Sequence, residues 1–78
     1  MTKKEMIQNI QKLEAIFFLN AKQLELDYGK DEPMYRSAIN KWLGVNMLMQ
    51  DLDIDGDWSL PEAREAADLI CLIAKKKA

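Results

Sequence analysis

The sequence predicts a small all-α protein of three helices, and three observations carry that prediction. Helix-start signals recur at Thr2-Lys3-Lys4-Glu5, Asp31-Glu32-Pro33 and Ser59-Leu60-Pro61-Glu62, each pairing a capping residue type with an acid or proline in the first turn. Between those signals apolar residues return mostly every three or four positions, the period of a helix. No stretch of useful length alternates in the manner of a strand.

Helix 1 is predicted over about 3–28. Thr2 and Glu5 form a capping box, Met6, Ile10, Leu13, Phe17, Leu24 and Tyr28 make the apolar stripe, and Gly29 supplies the residue type that ends helices. Within the block Ile16, Phe17, Phe18, Leu19, four consecutive helical positions cannot share one face. Phe18 is the member expected at the surface or in an interface. Helix 2 is predicted over about 33–50, its stripe being Tyr35, Ala38, Trp42, Val45 and Met49, widened by Ile39, Leu43, Met47 and Leu48. Trp42 is expected in the core, while Met47 and Met49 suit either a core or a groove for a target. Gly44, inside that helix, suggests close packing or a bend. Helix 3 is predicted over about 60–75 with Ser59 as its cap, a stripe of Ala63, Ala67, Ile70 and Ala74, and Lys75 to Lys77 offsetting the negative helix end.

All 78 residues read as one domain, too small to bury as large a share of its surface as a bigger one. Extra stabilisation is therefore expected from an ion, a second copy or dense helix packing, because the single cysteine, Cys71, excludes an internal disulfide. A lone thiol, no leader-like apolar run and no segment near the roughly 20 residues needed for a membrane span point to a cytoplasmic protein that does not enter membranes. Enzyme chemistry is not expected, since histidine is absent and no nucleophile sits beside a base. Nucleic acid is not an expected partner either: the one basic cluster, Lys75 to Lys77, lacks interleaved aromatics.

The net charge of −2 conceals an uneven spread. Residues 1–50 carry seven basic and six acidic groups (+1), residues 51–78 four and seven (−3). Asp51, Asp53, Asp55, Asp57 and Glu62 crowd one short segment that contains no basic residue. Five neighbouring carboxylates repel one another, and a cation removes that penalty.

The segment Asp51 to Glu62, DLDIDGDWSLPE, resembles the calcium-binding loop of the EF-hand family. Asp51, Asp53 and Asp55 fall at the first, third and fifth positions, Gly56 at the sixth, and Glu62 at the twelfth. A pattern of this kind arises by chance in about one chain of this length in several thousand. The resemblance implies a metal site made by the side chains of Asp51, Asp53, Asp55 and Glu62, the carbonyl of Asp57, and Ser59 through a water. Gly56 would take a backbone conformation that only glycine adopts cheaply. The implied fold is an EF-hand-like helix-loop-helix made by helices 2 and 3, and the implied ion is Ca²⁺, with Mg²⁺ the weaker alternative because it demands a tight octahedron. Two departures stand out: Trp58 at the eighth position, usually aliphatic, and Gln50 before the loop. Helix 1 lies outside the resemblance.

The function expected on these grounds is a calcium-binding helical module in which the ion orders the loop and regulates a protein partner or dimerisation. Hands of this family usually pair, so either a homodimer through the region 52–58 or a solitary site of modest affinity follows, on the order of 10⁻⁶ to 10⁻⁴ M. The competing reading is a small acidic interaction or inhibitor module, of phage type or mimicking DNA, that docks its Asp-rich turn on a basic partner.

Overall fold

The computed structural model describes residues 2–77. It is all-helical: α1 spans Lys3–Tyr28, α2 spans Pro33–Asp51 and α3 spans Pro61–Lys77, with no strand among the described residues. Thr2 caps α1 as its composition demands, its hydroxyl oxygen accepting from the Glu5 amide at 3.1 Å. The helix closes at Gly29, whose φ of 94° is a region other residues rarely enter, with its amide donating to the Glu25 carbonyl.

At the second start the capping residue is Glu32 rather than Asp31, and its side chain makes no capping bond. Pro33, at the first helical position, needs no amide partner there. At the third start the expected Ser59 cap is not formed. Pro61 opens α3, and the Ser59 hydroxyl is turned back to donate to the Asp57 carboxylate. The side chain of Lys77, last of the predicted terminal cations, lies outside the described residues, while Lys76 donates to the Leu26 carbonyl at 3.2 Å.

The long dimension of 43 Å is set by α1, since a helix of 26 residues rises about 39 Å. Both shorter helices pack on α1, and α2 and α3 make no backbone approach to each other. The core is built of small side chains, Ala15 and Ala21 from α1, Ala38 and Met49 from α2, Ala63, Ala66 and Ile73 from α3. Alanines let backbones come close, so close packing replaces bulk here.

The buried faces of two helices are not the predicted stripes. In α1, Met6, Leu13 and Tyr28 are exposed and the buried side chains are Ala15, Ala21 and Glu25. Two partner helices packed on one helix select a broad arc of small residues over the largest apolar ones. In α3, Ile70 and Ala74 are exposed, and Ala66 and Ile73 are buried instead. The α2 stripe holds, all five of its members being buried or half-buried, but Met47 is 63% exposed and cannot be core. Gly44 has nothing within 4 Å of where a Cβ would sit, so close packing does not explain it.

Phe18 is the joint between the helices and the loop, and not the exposed member of its block, a place taken by Ile16. Its ring lies 4.9 Å from that of Trp42 and 6.5 Å, edge-on, from that of Trp58, with the Lys22 ammonium 5.3 Å from its centroid. Tilted and edge-on pairs of this kind add to the area they bury. The buried Glu25 carboxylate pairs with Lys22 at 3.0 Å and faces Lys30 at 3.9 Å, the compensation that a charge removed from water requires.

Candidate metal centre

Residues 51–62 join the end of α2 to the first turn of α3. Asp51 is the last residue of α2 and Glu62 the second of α3, while Asp53, Asp55, Asp57 and Ser59 lie on the connection. Asp51, Asp53 and Asp55 are exposed, and Asp57 and Glu62 are half-buried.

The entry to the loop is a helix closure with an identifiable hydrogen-bond pattern. The Ile54 amide donates to the Met49 carbonyl at 2.8 Å and the Asp53 amide to the Gln50 carbonyl at 3.2 Å. Asp53, between them, has φ of 57°. This is the Schellman arrangement, in which one left-handed residue lets two amides satisfy the last carbonyls of the helix. Met49 is buried and Ile54 half-buried, the apolar residue types that such a closure places at these two positions.

The left-handed residue was expected at Gly56, and the structure places it at Asp53 instead. Aspartate tolerates that conformation better than most residues, yet glycine takes it without the steric cost of a Cβ. Asp53→Gly should therefore raise the stability of the metal-free protein by about 0.5–1 kcal/mol, a net gain after the greater freedom of glycine in the unfolded chain. Urea unfolding in the presence of a chelator measures it; a loss of stability would show that Asp53 does not hold this closure.

Asp57 departs from its expected part as well. Its carboxylate, instead of pointing free into solvent, accepts from both the amide and the hydroxyl of Ser59, while its carbonyl accepts from the Leu60 amide. Those bonds hold the Asp57 carboxyl below the usual range. The carboxylates of Asp51, Asp53, Asp55 and Glu62 engage no hydrogen-bond donor and no cation among the described residues. They are also not gathered: no three acidic, histidine or cysteine side chains among the described residues come together as a metal-holding group. In number and kind these donors suit a hard cation, but the loop in this conformation does not converge them.

Three residues of α1 take part that the sequence alone did not signal. The Gln11 side-chain amide donates to the Asp55 carbonyl at 2.8 Å, and the Glu14 carboxylate approaches so near to Gly56 that a Cβ there would lie 3.1 Å from it. The third is Phe18, against Trp58. Burial pushes the Glu14 carboxyl above its ordinary range, partly offset by the Trp42 indole N–H. That N–H is buried and faces the carboxylate without closing a full hydrogen bond to any described residue. The acidic loop is thus docked along α1 at three successive levels. No family model, curated protein or solved structure matches the chain.

Proposed function

We propose that residues 51–62 form a single calcium site of modest affinity in a non-catalytic helical module, and that ion binding resets the connection between α2 and α3. The observation that supports this most is that four carboxylates, Asp51, Asp53, Asp55 and Glu62, stand without partners among the described residues at the four positions where the EF-hand pattern uses acidic side chains. Crowded carboxylates gain from a nearby cation or amide donor, and among the described residues this turn supplies one only to Asp57.

On this reading the metal-free loop is held in a helix-closing conformation, and calcium draws it out of that conformation by offering a stronger partner to the same acids. The ion supplies a compact positive charge. The chain supplies oxygens and the turn at Gly56, which is free of a Cβ. The eighth-position Trp58 is already engaged edge-on by Phe18. That contact favours a site that works alone over one that pairs with the loop of a second copy.

Terbium titration with indole excitation tests the site, because Trp58 belongs to the loop and transfers energy to an ion bound there. Sensitised emission should saturate in the micromolar to submillimolar range and be displaced by calcium, and Asp51→Ala and Glu62→Gln should each abolish it. Silence up to millimolar terbium rejects the site. Under calcium the Asp53→Gly variant should reverse sign, becoming less stable than the parent chain, since it relieves the closure but removes a ligand.

A further inference from the structure

The apolar stripe of α1 that the fold leaves uncovered has a register that fits a second copy of itself, and we propose that this protein forms an antiparallel homodimer through α1. Met6, Ile10, Leu13, Phe17, Asn20 and Leu24 succeed one another at intervals of four, three, four, three and four residues. That is the heptad spacing of a two-helix seam, about 27 Å long. None of the six is buried: Met6 is 48% and Leu13 43% exposed, Asn20 is exposed, and Ile10, Phe17 and Leu24 are half-buried at the edge of the bundle. The packing of α2 and α3 uses a different arc of the helix, centred on Ala15, Ala21 and Glu25.

The order of spacings reads the same in both directions, so a two-fold axis level with Ala15 brings the stripe onto itself with the helices antiparallel. Met6 then faces Leu24, Leu13 faces Phe17 and Ile10 faces Asn20, each pair occurring twice as a closed two-fold interface requires. Three residues further out at each end, the same symmetry sets Lys3 of one chain against Asp27 of the other. Both are exposed, and neither is engaged in an ion pair among the described residues. A parallel pairing would stack Lys3 on Lys3 and Asp27 on Asp27, which is repulsive at both ends. Charge and register therefore select the same partner and the same orientation. The Ile10–Asn20 layers are imperfect and the seam is short, so the dimer is weak.

Sedimentation equilibrium of the full chain, in chelator so that the loop plays no part, decides the matter. The mass should rise from 9.0 kDa for one chain towards twice that as concentration increases through about 10 to 500 µM. Leu13→Glu should stay monomeric throughout with its helical circular dichroism unchanged. Lys3→Asp should weaken association roughly fivefold, and adding Asp27→Lys to the same chain should restore it. In a Cys71→Ser background, spin labels at Lys4→Cys should lie about 30–35 Å apart across the antiparallel dimer, against about 10–15 Å for a parallel one. A monomer at every concentration, a dimer that survives Leu13→Glu, or the short label distance overturns the proposal. The outcome is independent of whether the loop binds calcium.

Discussion

Saturating calcium should raise the melting temperature of this protein by roughly 10–20 °C over the same sample in chelator. The size follows from mass action. An ion at about a hundred times its dissociation constant, such as 1 mM against a site of about 10 µM, adds about 2.7 kcal/mol to the folded state. In a domain of this length each kcal/mol moves the midpoint by about 4–8 °C. Circular dichroism melts at one fixed protein concentration measure the shift, and the fixed concentration matters because self-association would also move the midpoint. Glu62→Gln should remove nearly all of it while leaving the melt in chelator close to that of the parent. Magnesium at the same concentration should give a much smaller displacement, as its octahedron has no place for a bidentate carboxylate. Coincident melts in calcium and chelator would mean that the carboxylates of residues 51–62 are simply solvated, and the competing reading of an acidic docking surface would then gain ground.

Truncating Phe18 to alanine should cost about 2–4 kcal/mol, the second large effect. Full burial would set the figure at about 3–5 kcal/mol, and Phe18 is only half-buried, so the lower part of the range applies. A chain of this size has about 4–12 kcal/mol in all, so the variant should sit near the edge of folding. The loss combines the tilted contact with Trp42, the edge contact with Trp58 and the ammonium of Lys22 over the ring. Ile16→Ala, two positions earlier and exposed, should change stability by less than about 0.5 kcal/mol. Urea unfolding followed by tryptophan emission reports both quantities. A Phe18→Ala variant as stable as Ile16→Ala would show that the aromatic cluster does not join loop to helices.

What was legible in the sequence was local. Thr2 with Glu5, Pro33 and the glycine after Tyr28 act within one turn of themselves, and the three helices begin or end where those residues place them. The stripe of α2 was legible too, because the side of that helix turned to α1 is also the side that carries its large apolar residues, Tyr35, Trp42, Val45 and Met49. The faces of α1 and α3 were not. Periodicity marks the side with the largest apolar residues, whereas the bundle buried the side with the smallest, the alanines that permit close approach.

The loop shows the same division. Its composition and spacing are readable as a donor set, residue by residue. Its conformation is decided by partners far away in the chain: Gln11 holds Asp55 across 44 positions, and Glu14 crowds Gly56. No window of sequence contains both ends of such a contact. The exchange of the left-handed residue from Gly56 to Asp53 has a similar origin, for the backbone bonds that terminate α2 claim the first residues of the loop before its acids do.

Because α2 and α3 each lean on α1 and their backbones make no close approach to one another, the molecule has two separable ways of coming apart. Peeling α3 from its spine leaves the contacts of α2 intact, and the reverse holds equally, so the outer helices open through independent local fluctuations while the central one is released only when both have gone. If the connection between the arms takes an ion as proposed, binding there is expected to alter the opening of one arm without unfolding the rest.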